Sequence, residues 1–217
     1  MALFCLYHVS REDFTLMKRN VTTEDMFNVA FVTFFAGLFF ARLTYVIFNF
    51  APGFLNPLVF FLVPYFPGMS LTGGIIGGIA VLVFYCRRKK WPTKRIFDLV
   101  ALSFLAALPI GYVGSLFVSS GLSYFLHIFL PVIFFLIFLV AYLVFYPKLV
   151  RREIKPGMLG TSAMILVSFI ILFLSILAHF DAGQSLLQIQ DVLPSALFIG
   201  SLIYFIKQDL FVIKPKK

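Results

Sequence analysis

Charge is what this sequence has least of: 12% of its 217 residues are Asp, Glu, Lys or Arg, about half the share of an ordinary soluble domain. So few ionic groups cannot cover a water-facing surface, which excludes a soluble globular domain and a disordered chain alike. Cysteine is scarce too. Cys5 and Cys86 stand alone, without ligand spacing, so neither a disulfide framework nor a metal site is indicated, and no cofactor is expected. No repeat of fixed period and no low-complexity tract breaks the chain, apart from its apolar bias. Acidic residues number nine, and none stands at the middle of an apolar run, where a proton-coupled transporter is expected to carry one.

What fills the space is apolar. The chain is 61% hydrophobic and 18% aromatic, and its mean hydropathy of +1.02 places it in a bilayer. A span needs about 20 apolar residues to cross roughly 30 Å of hydrocarbon. Such runs cover 27–50, 69–86, 96–118, 124–146 and 158–180, with a shorter one at 192–206. The stretch 54–66 is short and contains Pro57 and Pro64, which reads as an interfacial or re-entrant half-length segment. Every backbone amide in hydrocarbon must be paired internally, and these runs are about twice the length of barrel strands. The expected fold is therefore all-α: a polytopic membrane bundle of about six spans plus one half-length segment. Residues 1–26 form an N-terminal cytoplasmic or interfacial segment, 27–206 the transmembrane bundle and 207–217 a basic cytoplasmic tail. The patch Met1 to Val9 has neither the basic start nor the long apolar middle of a cleavable signal peptide.

Basic residues orient the bundle, because cytoplasmic flanks collect Lys and Arg. All but one of the 18 fall in four groups. Arg11, Lys18 and Arg19 precede the first span; Arg87, Arg88, Lys89, Lys90, Lys94 and Arg95 fill one turn. Lys148, Arg151, Arg152 and Lys155 fill another, and Lys207, Lys214, Lys216 and Lys217 form the tail. Segments 51–68, 119–123 and 181–191 hold none. Alternation with both termini in the cytoplasm satisfies every loop, so the net charge of +9 reads as a topology signal and attraction to anionic lipid rather than as nucleic-acid binding.

The exception is Arg42, inside the first span and about two thirds of the way to its outer end. A guanidinium there costs several kcal/mol unless it meets a partner, a cavity or the headgroup layer. Two readings stand level: a bidentate hold on a lipid phosphate, or a structural cap on neighbouring carbonyls. Pro67 to Gly78 opens the next span. Gly73, Gly74, Gly77 and Gly78 make a small-residue face suited to close helix packing, while Ser70 and Thr72 can cap a helix start that favours an anion. Gly111 and Gly114 thin a third segment near its outer end, where Tyr112 and Ser115 offer hydroxyls. His127, a turn into a span beside Ser123 and Tyr124, is a candidate base against an interfacial alternative. His8 sits in the ill-defined N-terminal patch, His179 reads as interfacial at an outer span end, Asp181 and Asp191 read as outer-loop residues, and Asp98 is expected to pair with Lys94 or Arg95.

In order and spacing, these motifs resemble the prolipoprotein diacylglyceryl transferase family. Phe40-Ala-Arg-Leu-Thr-Tyr-Val-Ile-Phe-Asn49 is similar to the family's Gly-Ala-Arg-Leu-Gly-Tyr-Val-Leu-Phe-Tyr-Asn. Pro67-Gly-Met-Ser-Leu-Thr-Gly-Gly-Ile-Ile-Gly77 resembles its Gly-Gly-Met-Ser-Phe-His-Gly-Gly-Leu-Leu-Gly. A basic turn and Asp98 follow, then Leu108-Pro-Ile-Gly-Tyr-Val-Gly-Ser-Leu116 in place of Pro-Leu-Gly and Gly-Arg-Ile-Gly-Asn-Phe, and finally Lys155-Pro156-Gly157. The departures fall on polar positions: the family's His is Thr72, its Arg and Asn are Tyr112 and Ser115, and a later Arg and Glu fall near Ile171 and Ser175. His127 lies where a Glu is expected.

The resemblance implies a bacterial inner-membrane protein that moves the diacylglyceryl group of phosphatidylglycerol to the lipobox cysteine of a lipoprotein precursor. The expected substrate-binding residues are Arg42, Tyr45, Ser70, Thr72, Gly73, Gly74, Gly111, Gly114 and Ser115; the expected catalytic groups are His127 and Tyr112. Partners are phosphatidylglycerol or another anionic phospholipid and lipoprotein precursors. A non-catalytic relative that binds phospholipid or a membrane partner in the same cavity stands beside this reading, and a small-solute transporter ranks last.

Overall fold

The structure is a computed structural model that describes residues 1–11, 13–50, 60, 68–115, 122–181 and 191–210. Its secondary structure is all helical among the described residues. In chain order the helices are α1 Ala2–Arg11, α2 Phe14–Lys18, α3 Thr23–Phe48, α4 Leu71–Arg88, α5 Thr93–Ser115, α6 Leu122–Val140, α7 Tyr146–Val150, α8 Met158–Asp181 and α9 Val192–Leu210. A π-helical turn, Ala141–Phe145, joins α6 to α7. Pro147 explains it: proline cannot donate to the carbonyl four residues back and crowds it, so the helix opens by one residue, and the Tyr146 amide reaches back to Ala141.

The chain is thus a polytopic helical membrane bundle. Five helices are long and apolar enough to cross a membrane, Thr23–Phe48, Leu71–Arg88, Thr93–Gly114, Ile128–Val150 and Met158–Leu177, and the expected sixth span is the shorter apolar helix Val192–Gln208. The half-length segment at 54–66 lies outside the described residues, except Phe60. Large apolar side chains such as Phe34, Phe35, Phe84, Phe129 and Phe173 are exposed, as they are where lipid rather than water is the solvent.

Local chemistry sets the helix ends. Thr22 and Asp25 form a reciprocal capping box at the start of α3, and the Ser70 hydroxyl accepts from the Gly73 amide at the start of α4. α3 and α4 make the most extensive helix contact of the bundle. Thr33 faces Gly78, Gly37 faces Gly74, and Thr44 faces Gly73, an antiparallel register. α5 lies at the centre, packed on α6, α1, α8 and α4, and supplies Ile96, Leu99, Leu102 and Leu105 to the core.

The N-terminal segment contributes to that core as well. Leu6 and Val9 of α1 and Leu16 of α2 are buried. Asp13 caps α2 through the Thr15 and Leu16 amides and receives Arg95 Nε at 2.5 Å, while Arg95 Nη1 donates to the Leu149 carbonyl. Asp98 makes no direct ion pair with Lys94 or Arg95 among the described residues, although the Arg95 charge is near enough to act on it. Its two oxygens accept the Gly157 amide at 2.6 Å and the Gly160 amide at 2.7 Å, which caps the start of α8 from outside the helix. The spare amides of a helix start outbid a flexible ammonium for a buried carboxylate because they are already fixed in place.

Candidate functional site

The sharpest site is built where α3 ends and α4 begins. Arg42 is 2% exposed; its Nε donates to the Phe60 carbonyl at 3.0 Å and its Nη1 to the Gly68 carbonyl at 2.9 Å. The guanidinium carbon lies 5.7 Å from the centre of the Tyr45 ring, within range of a cation–π attraction. Arg42 thus makes the carbonyl contacts that the capping reading requires, and it makes them to the stretch that leads into α4. The Ser70 amide donates to the Ala41 carbonyl at 3.0 Å, so the turn before α4 is fastened to α3 beside the arginine.

Gly68 is indispensable to this geometry. Its φ is +145°, and a Cβ there would stand 2.1 Å from the Tyr45 ring. Gly73 and Gly74 have the same meaning in a regular helix: added Cβ atoms would meet the Thr44 side chain at 2.2 Å and the Gly37 carbonyl oxygen at 3.1 Å. Their absent side chains are filled by α3, so the close-packing reading describes their contacts. Thr72 is buried in the first turn of α4. Arg42, Tyr45, Ser70, Gly73 and Gly74 thus lie together where α3 meets the start of α4, with Thr72 in the same first turn.

The α5 residues are placed by different contacts. The Tyr112 ring stacks on Phe134 of α6, with centroids 4.9 Å apart. Gly111 and Gly114 are exposed, and a methyl on either would meet nothing within 4 Å among the described residues. The expectation that they thin α5 for a close helix neighbour finds no such neighbour there. Beside them Pro109, Ile110, Val113, Pro131, Val132 and Phe135 line an open apolar cleft of about 270 Å³ between α5 and α6. The side chains of Ser115 and His127 lie outside the described residues.

One polar cluster was not visible in the sequence. Asp191, directly ahead of α9 in the connection from α8, is buried. Its carboxylate accepts from the Ser175 hydroxyl and lies 3.4 Å from His179 Nδ1, and the Ser195 hydroxyl donates to its carbonyl. His179 is therefore not simply interfacial. The segment between α8 and α9 hides the proximity; the one local signal was an Asp directly ahead of an apolar helix, a favoured capping position. No group of three or more His, Cys, Asp or Glu residues suited to a metal occurs among the described residues.

With that geometry in hand, comparison with known proteins gives a consistent result. The family model for prolipoprotein diacylglyceryl transferase matches residues 1–188. A phosphatidylglycerol–prolipoprotein diacylglyceryl transferase of Fusobacterium nucleatum is 34% identical over 98 residues, 45% of this chain and 34% of that protein. Those of Clostridium tetani and Proteus mirabilis are 31% and 39% identical over 97 and 93 residues, 45% and 42% of this chain and 38% and 30% of theirs. The chain thus matches about a third of the length of each of these relatives. No solved structure matches it.

Proposed function

Since the chain belongs to the prolipoprotein diacylglyceryl transferase family, we propose that it is a divergent diacylglyceryl transferase of a bacterial inner membrane, with both termini cytoplasmic. Its substrates in this reading are phosphatidylglycerol and the lipobox cysteine of a lipoprotein precursor. In the reaction the cysteine sulfur forms a bond to the glyceryl carbon as that carbon's bond to the phosphate oxygen breaks. The thiol proton is lost and glycerol phosphate departs. Such a step needs an anion held and its departure assisted, together with a base for the thiol.

The observation that carries this reading is the Arg42 cluster. A guanidinium is fixed by two backbone carbonyls beside the start of α4, whose free amides favour an anion. Arg42, Tyr45, Ser70 and Thr72 frame the headgroup, and Gly73 and Gly74 serve by holding α4 against α3. Tyr112 supplies a hydroxyl and His127 the base, with Gly111, Gly114 and Ser115 giving room at the outer end of α5.

A second reading, a non-catalytic relative that binds phospholipid or a membrane partner, is favoured by Thr72, Tyr112 and Ser115, which stand where the family motif has His, Arg and Asn. Groups that act as a unit leave little activity when several are replaced. The deciding experiment is expression of the chain in cells depleted of their own transferase with a reporter prolipoprotein. Lipidated reporter supports the transferase. If the reporter stays unlipidated while anionic phospholipid co-purifies and is lost in Arg42→Ala, the binding relative is the better account; if neither occurs, both fail. Solute uptake into liposomes would bring back the transporter.

A further inference from the structure

At the end of the bundle opposite Arg42 lies a second polar site. α4 starts beside Arg42 and its 18 residues run about 27 Å at 1.5 Å per residue to the basic turn where α5 begins. There Lys94, Lys155, Pro156, Tyr204, Lys207 and Gln208 line a cleft of about 530 Å³ between the ends of α5, α8 and α9. Three lysines and a tyrosine are among its lining residues, and no carboxylate lines it among the described residues.

Gln208 is the informative member. Its side chain is in a residue only 9% exposed, yet neither its amide nitrogen nor its amide oxygen has a hydrogen-bond partner among the described residues. Buried side-chain amides are almost always paired, so an orphaned one at the wall of a cleft signals a missing partner. The surrounding structure keeps the amide in place. Lys155 Nζ donates to the Gln208 carbonyl at 2.8 Å, fixing the end of α9. Gly157, with φ +100°, leaves the space that the amide occupies, since a Cβ there would stand 2.7 Å from Gln208 Nε2. The nearby Asp98 carboxylate is taken up by the Gly157 and Gly160 amides and does not line the cleft.

We propose that this cleft binds a phosphate group, carried by an anionic phospholipid headgroup or free in solution. Lysines are point-charge phosphate ligands and the Tyr204 hydroxyl adds a neutral donor at the rim; the Gln208 amide, which lies behind the wall with almost no accessible surface, reaches a bound phosphate by turning its side chain. The cleft lies in the basic layer that faces anionic lipid. This assignment does not depend on the chain's catalytic activity, since none of its residues belongs to the Arg42 cluster.

The test is thiol protection of the full chain, purified in neutral detergent, with Tyr204→Cys as reporter and Lys89→Cys in the adjacent basic turn as control. Cys5 and Cys86 are buried and give little background. Phosphatidylglycerol in mixed micelles should slow N-ethylmaleimide modification of Tyr204→Cys by about five-fold at saturation and leave Lys89→Cys within about two-fold. Adding Lys94→Gln and Lys207→Gln, both exposed positions, should remove the protection. Inorganic phosphate giving equal protection assigns the site to free phosphate, and phosphate without effect beside active phosphatidylglycerol assigns it to lipid. Equal protection by diacylglycerol, protection that survives the lysine substitutions, or none from either phosphate source overturns the proposal. Gln208→Leu gives a second reading with Tyr204 intact: lipid should raise the melting temperature of the parent and not of this variant, and an unchanged lipid response would also overturn it.

Discussion

Removing the Asp98 carboxylate should unfasten the start of α8. Asp98 is 0% exposed and accepts two backbone amides at 2.6 and 2.7 Å. Hydrogen bonds to a charged group contribute about 1.5–3 kcal/mol each, and an orphaned buried amide costs about 1–3 kcal/mol. Relief of the carboxylate's own desolvation offsets part of this, so Asp98→Ala should destabilise by about 3–5 kcal/mol. Asp98→Asn keeps one acceptor and should cost about half as much, whereas Lys94→Gln should be silent. For a chain of this length 1 kcal/mol corresponds to roughly 2–4 °C in Tm, which puts Asp98→Ala roughly 10 °C below the parent. Thermal unfolding in detergent, read with a thiol-reactive dye, suits this protein because Cys5 and Cys86 are both buried and lie on α1 and α4. Were Asp98→Ala to unfold within about 2 °C of the parent, or Lys94→Gln to match its loss, the cap would not be what holds α8, and an ion pair would be the better account.

Two neighbouring glycines of α4 should respond oppositely. Gly77→Ala places a Cβ 2.2 Å from the Phe40 Cβ and should destabilise by about 1–3 kcal/mol through overpacking, whereas Gly78→Ala meets Thr33 at 3.5 Å and should be neutral or gain up to about 1 kcal/mol; the same dye melt distinguishes them. Gly68→Ala combines a left-handed backbone with a collision against the Tyr45 ring, and if the chain transfers diacylglyceryl, reporter lipidation should fall at least about 10-fold, with displacement of Arg42 as the cause. Arg42→Lys keeps the charge but loses the fixed pair of carbonyl contacts, and reporter lipidation should drop about 10- to 100-fold; parental lipidation would remove Arg42 from the site. A fluorescent protein fused after Lys217 should fluoresce in the cytoplasm if the tail is on the basic side, and an alkaline-phosphatase fusion active at the same point would reverse the topology.

Composition and run length identified a helical membrane bundle because lipid leaves a chain few alternatives: its backbone must pair internally and its length must match the hydrocarbon. The Arg42 cluster was legible for a related reason. A charge inside an apolar run is expensive enough that it must be answered nearby, and the glycine-rich start of α4 was the nearest segment able to approach it. What the sequence could not show were polar groups answered from far along the chain. Arg95 lies in a basic turn and looks like another topology marker, yet its partner Asp13 is 82 residues away. Asp98 looked like the local partner of a neighbouring lysine, yet it serves amides about 60 residues on. Asp191 is joined to Ser175 and His179 across a connection that carries no pattern of its own. In each case the cause is the same. A buried site offers no water to satisfy a stray polar group, so each one recruits whatever polar group or helix end passes closest, and that choice is made by packing rather than by local sequence. The Gln208 amide, like the Thr33 hydroxyl, has no hydrogen-bond partner among the described residues, and in the proposed phosphate cleft the ligand would supply one.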